Sequence, residues 1–149
     1  MGFGDNFQEN VSEFGHDGKW WINADDMPIK VAIVGQEIVG CAQFIRGQGW
    51  IAAEKGEGDA KLIFAVNAWD GSKCRVLTGS HALYTKLRVL GQSTAGLDQI
   101  WVEVGKGADN RYYAKYDGDL TDKDKGALVD AELEDLTNRC DWYNDGLPI

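Results

Sequence analysis

Between residues 61 and 69 the side chains sort into two faces. Leu62, Phe64, Val66 and Ala68 take one, and Lys61, Ile63, Asn67 and Trp69 take the other. That is the two-residue period of a β-strand. Asp70-Gly71 follows, a strong tight-turn signal, and residues 73–78 read as the return strand of a hairpin. On that strand Cys74 and Val76 face opposite to Lys73 and Arg75. Upstream, residues 29–34 and 38–46 are two β-branched runs. The second stops at Gly47-Gln48-Gly49, and residues 50–54 continue it after a bend. Residues 55–59 form a polar, glycine-containing loop. Downstream, Ile100, Val102 and Val104 alternate with Trp101 and Glu103, and a glycine-rich turn over 105–110 leads into residues 111–116, a second hairpin.

Helical spacing occurs twice. Leu83, Leu87 and Leu90 form one stripe, with Ser80 as N-cap and Gly91 as the stop. Val129, Leu133 and Leu136 form another over 127–136, and Thr121 with Asp124 resembles a capping box. The chain is therefore expected to be mainly β. Its element order matches a five-stranded OB-type barrel with one helix between strands 3 and 4, plus a C-terminal helix and a flexible acidic tail. A β-sandwich with an incidental helix is the rival. The expected organisation is an acidic N-terminal extension over 1–28, the barrel over 29–116, and an acidic C-terminal region over 117–149.

Composition narrows the function. With 149 residues, 44% hydrophobic and 26% charged, the chain can bury one core and is not a disordered polymer. No uncharged apolar run is long enough to span a bilayer, so no membrane partner is expected. The N-terminus lacks the basic start and apolar stretch of a secretory signal, and Asn6 breaks the myristoylation pattern. Cys41, Cys74 and Cys140 are odd in number and far apart. They are expected as reduced thiols in a cytoplasmic protein, with no zinc spacing and no disulfide framework.

The net charge of −9 is unevenly spread. Residues 1–29 carry one Lys and six acids, residues 30–116 carry eleven Lys/Arg and eight acids, and residues 117–149 carry three Lys/Arg and ten acids. A mildly basic middle between acidic ends suits a polyanion-binding core whose acidic tail competes for the same surface. Catalytic motifs are missing. There is no Gly-x-Ser-x-Gly, Gly105-Lys106-Gly107 lacks the P-loop spacing, and the Asp117, Asp119, Thr121 series fails as a calcium loop at Asp122 and Leu128. No enzyme, cofactor or metal is expected.

Aromatic and basic residues interleave in the middle region. Trp69 shares a face with Lys61, Lys73 and Arg75 lie on the paired strand, and Arg111, Tyr113 and Lys115 share a face of the closing strand. Flat rings stack unpaired bases, and Lys and Arg neutralise phosphates, so the pattern suits single-stranded nucleic acid. Duplex DNA would call for polar readers presented to a groove. The expected contacts are Lys61, Trp69, Lys73, Arg75, Trp101, Lys106, Arg111, Tyr113 and Lys115. Tyr112, Tyr116 and Phe64 are expected to face the core, and Lys86 and Arg88 to be a solvated helix face.

The last nine residues, Asp141-Trp142-Tyr143-Asn144-Asp145-Gly146-Leu147-Pro148-Ile149, resemble the acidic tip of bacterial and phage single-stranded DNA-binding proteins. Asp141, Trp142, Asp145, Leu147, Pro148 and Ile149 fit that pattern. Tyr143, Asn144, Gly146 and the terminal Ile in place of Phe depart from it. Residues 102–112 also look like the last hairpin of phage OB-fold proteins of this class. The resemblance implies a protein that coats exposed strands during replication or recombination. It also implies that the acidic tail occupies the groove until DNA arrives, and that the tip docks replication or recombination partners. An acidic DNA mimic and a carbohydrate-binding β-sandwich are the alternatives.

Overall fold

In a computed structural model we describe residues 20–47, 49–54, 58, 60–140 and 142. The framework is one antiparallel sheet of six strands: β1 (Ile29–Ile45), β2 (Gly49–Ala52), β3 (Lys61–Trp69), β4 (Cys74–Ser80), β5 (Ile100–Lys106) and β6 (Tyr112–Asp119). Among the described residues three α-helices join it: α1 (His81–Ser93), α2 (Asp122–Val129) and α3 (Leu136–Arg139). The strand order is β4-β3-β1-β5-β6, with β2 paired to the far end of β1. Among the described residues no helix is long and apolar enough to cross a membrane.

The two β-branched runs at 29–34 and 38–46 are one strand. Gly35, at φ +74°, sits in a bulge that shifts the β1–β3 register between Val34 and Ile38. Such a bulge bends a strand without ending it, so β1 serves β5 at Ile29–Val31, β3 along its middle and β2 at its end. The β3–β4 hairpin turns where expected. Gly71 takes φ +104°, and one Asp70 carboxylate oxygen accepts from the Ser72 and Lys73 amides at 2.9 and 3.0 Å.

The central strands of the sheet are buried on both faces. On the inner face Val31, Ile33, Phe64, Val66, Leu77, Ile100, Val102 and Val104 pack with Leu83 and Leu87 of α1. On the outer face Ala42, Ile63, Ala65 and Val76 are covered by Leu136, Cys140 and Trp142, and Ala32, Trp69 and Cys74 by Leu120. The region expected to start a flexible tail at 117 is therefore the sheet's second cover as far as it is described. β6 itself runs on to Asp119.

The sheet does not close. Among the described residues β4 and β6 share no ladder, so the expected closed barrel is instead an open sheet. Residues 20–22 run parallel to the edge of β4, with Val76 N–H donating to Trp20 O at 2.7 Å and Ile22 N–H to Val76 O at 2.9 Å. On the opposite side Lys86 of α1 donates to Tyr112 O at 2.7 Å.

The C-terminal helix differs from its expected span. The Thr121–Asp124 capping box is present and starts α2 at Asp122. After Val129 the chain extends, because the amide of Asn67, buried in β3, takes both backbone groups of Glu134: Nδ2 to Glu134 O at 3.1 Å, and Glu134 N–H to Oδ1 at 2.8 Å. A buried amide needs such partners, and a continuous helix over 127–136 would withhold them. The expected apolar stripe is consequently broken: Val129 is 84% exposed and Leu133 is exposed, while Leu136 is buried.

Candidate functional site

Strand pairing separates the residues expected to form one nucleic-acid face. Trp69 lies opposite Cys74, and Arg75 lies opposite Ala68, so Trp69 and Arg75 are on different faces of the sheet. Both are buried. Trp69, 3% exposed, stacks on Trp101 with centroids 5.4 Å apart, inside the cluster with Ala32, Cys74 and Leu120. Arg75 lies between two carboxylates, 3.6 Å from Asp26 and 3.8 Å from Asp70, and joins the N-terminal segment to the hairpin. Burial alone would raise the Asp70 carboxyl. The Lys73 and Ser72 amides, the Ser72 hydroxyl and Arg75 outweigh it and hold the group below its ordinary value. The alternation at 61–69 reads as exposed on its second face because the covering segment lies more than fifty residues downstream.

The remaining expected contacts scatter. Trp101 is half-buried. Its ring lies under Lys30 at 5.0 Å, and its Nε1–H donates to Asp124 at 3.3 Å, tying β5 to the start of α2. Tyr113 donates its hydroxyl to Glu103 at 2.8 Å, and Lys115 reaches the same carboxylate at 3.3 Å. The Tyr113 hydrogen bond, then Lys115, holds Glu103 below its usual range, and the same hydrogen bond raises the Tyr113 phenol. Lys61, Lys106 and Arg111 are exposed, and Lys73 is half-buried. Tyr112 packs against the inner core as expected, whereas Tyr116 is exposed and donates to Asp119 at 2.8 Å. Of the expected tip, Trp142 is buried at 4% exposure. Asp141, Asp145, Leu147, Pro148 and Ile149 lie outside the described residues.

Where the sheet fails to close, there is a cleft of about 1050 Å³. Trp20 and Trp21 line it from the N-terminal segment, Phe44 and Trp50 from the β1–β2 hairpin, Tyr112 from the start of β6, and Arg139 and Trp142 from the C-terminal segment. Phe44, 60% exposed, meets Trp50 edge-to-face at 5.5 Å, as two aromatics directly paired across the β1–β2 ladder. Trp20 and Trp21 form a similar edge-to-face pair at 5.2 Å. Cations stand over two of these rings: Lys106 Nζ is 5.5 Å from the Tyr112 centroid, and the Arg139 guanidinium is 5.1 Å from that of Trp20. Asp25 also lines the wall. A partly exposed ring beside a cation can hold a planar heterocycle and an attached anion.

Of the expected contacts, Lys106 alone has a described ring contact with a cleft-lining residue. Of these lining residues, the sequence places Tyr112 in the core, leaves Trp20 and Trp50 equally open to packing and to stacking, and assigns neither Phe44 nor Arg139 to the site. One signal was available: Phe44 and Trp50 are equidistant from Gly47, so a hairpin centred on that glycine sets the two aromatics across from each other. Among the described residues no group of three or more His, Cys, Asp and Glu side chains converges as a metal site. Comparison with models of known families, with curated proteins and with solved structures gives no match.

Proposed function

We propose that the chain is a non-enzymatic, sequence-tolerant protein that binds single-stranded DNA in the aromatic cleft and covers exposed strands during replication or recombination. The cleft carries this reading. Rings from separate segments line one groove, and cations lie over two of them. Base stacking on such rings contributes about 1–3 kcal/mol per base without regard to sequence.

The topology supports the same reading. The order β4-β3-β1-β5-β6, with α1 between β4 and β5, is that of an OB barrel opened between its third and fifth strands, if β2 is counted as part of the first connection. OB folds bind oligonucleotides with the loops joining strands 1–2 and 4–5. Those loops correspond here to the hairpin holding Phe44 and Trp50 and to the turn between Lys106 and Tyr112. Partner docking falls to the other tip residues, Asp141, Asp145, Leu147, Pro148 and Ile149, since Trp142 is committed to the core.

The test is titration with oligo(dT) and with a duplex of equal length, read by tryptophan quenching. The single strand should bind more tightly, with log K falling against log salt by about 0.7 per phosphate neutralised. Equal affinity for both forms, or none for either, overturns the proposal. A second reading, an acidic nucleic-acid mimic, gains from the packing of residues 120–140 onto the sheet, which holds Asp122, Asp130, Glu132 and Asp135 exposed on a folded surface. A mimic would bind neither DNA form.

A further inference from the structure

We infer that Arg139 is a phosphate-binding residue of the cleft, so that the C-terminal segment helps to build the nucleic-acid site instead of competing for it. The inference rests on the single-strand reading above and reverses the sign that the resemblance implies for residues 117–140.

The path of the chain is the first argument. Residues 120–140 cross the outer face of the sheet, where Leu120 covers Trp69 and Leu136 covers Ile63 and Val76. None of their acids lines the cleft, and Asp130, Glu132 and Glu134 lie beside Trp69 and Cys74 on that side, with Glu134 reaching Arg139. The short α3 then brings Arg139 to the wall of the cleft. A covalent stretch packed over the sheet is not free to enter the groove as a mobile polyanion, whereas the cation at its end is already there.

The setting of the guanidinium is the second. It lies over Trp20, and its Nε–H donates to Glu134 Oε2 at 3.0 Å. The side chain is 46% exposed. Glu134 is fixed from below by the two backbone hydrogen bonds to Asn67. The carboxylate therefore holds one edge of the guanidinium at a position set by the sheet. A guanidinium has five N–H donors in a rigid fork and Nε supplies one, so a phosphate can be met by the others. A strand whose bases stack on the cleft's rings would bring its phosphodiester to this cation. Glu134 then acts as a built-in brake, because it neutralises part of the charge the phosphate needs.

The experiment is a double-mutant cycle with Arg139→Gln and Glu134→Gln in the full chain. Binding of 5′-labelled oligo(dT) is followed by anisotropy across a salt series. Arg139→Gln keeps part of the aliphatic stem over Trp20 and removes the charge. It should weaken binding about three- to tenfold at low salt and reduce the salt slope by about one contact. Glu134→Gln should tighten binding, and that gain should shrink when Arg139 is already Gln. Arg139→Lys, which keeps the charge but not the fork, should fall between. If the intact chain binds and Arg139→Gln leaves both affinity and slope unchanged, the inference is overturned and the single-strand reading stands. If Arg139→Gln lowers the melting temperature sharply, Glu134→Gln alone decides, and no tightening overturns the inference. An intact chain that binds no single strand overturns the reading and the inference with it.

Discussion

Gly40 and Trp142 offer a test of whether the C-terminal segment is part of the core. A Cβ built on Gly40 would lie 2.7 Å from Trp142 Cε3, 2.7 Å from Trp142 O and 3.1 Å from Cζ3. One of these atoms is backbone and cannot swing aside, so Gly40→Ala must push the segment off the sheet. Overpacking of this kind costs about 1–3 kcal/mol. Without the indole nothing seats the Trp142 backbone over Gly40, its carbonyl can withdraw with the segment, and the sign should change. Gly40 is a strand residue with no positive φ, and replacing such a glycine by alanine stabilises by about 0.4–1 kcal/mol through the unfolded chain. Trp142→Ala itself removes a buried indole from the cluster of Ile63, Val76, Leu136 and Cys140. A large-to-small change there costs about 3–5 kcal/mol, with the free energy of undocking the segment as its ceiling. The cycle is read by urea unfolding followed by far-UV circular dichroism, because removing a tryptophan alters the fluorescence signal. Gly40→Ala should destabilise the intact chain and be neutral or stabilising beside Trp142→Ala. A penalty of equal size in both backgrounds would show that Trp142 does not occupy the seat over Gly40.

Trp69→Ala should destabilise by about 3–5 kcal/mol, because the ring is buried against Trp101. Unchanged thermal melting would place the ring in solvent. Arg75→Ala should cost about 3–5 kcal/mol, since it strips the cation from between Asp26 and Asp70 in a buried setting; denaturant melts with an unchanged midpoint would refute this. The Asp70 carboxyl is held below its ordinary 3.8, so its contribution is present above that value and is lost as pH falls through the folded-state value. Asp70→Asn should therefore flatten the decline in melting temperature on acidification below pH 4, and an unaltered acid profile would count against the turn's role. Burial first, then the charges of Asp70 and Glu134, push the Cys74 thiol up to about 11. At pH 8 only about one thousandth of it is thiolate, so a disulfide reagent should leave Cys74 unmodified until the protein is denatured.

Several elements were legible from local signals. The Asp70-Gly71 turn, the alternation through Phe64 and Val66, the Leu83–Leu87 stripe and the Thr121–Asp124 box each depend on neighbours within a few residues. Their energetics belong to the short segment that carries them. The sequence therefore determined the β3–β4 hairpin, most of the inner face of the sheet and the start of the main helix. The outer face depended on information from elsewhere. Periodicity reports that Ile63, Asn67 and Trp69 share a face, but not that residues 120–142 return to cover it. That return is decided by contacts far apart in sequence: Asn67 with Glu134, and Gly40 with Trp142. It turned expected stacking platforms into core and an expected tail into a cover. The cleft is likewise a tertiary product, since its walls come from residues 20–27, the β1–β2 hairpin, the start of β6 and the C-terminal segment. Each wall is unremarkable in its own segment, and the site exists because an unclosed sheet edge brings them together.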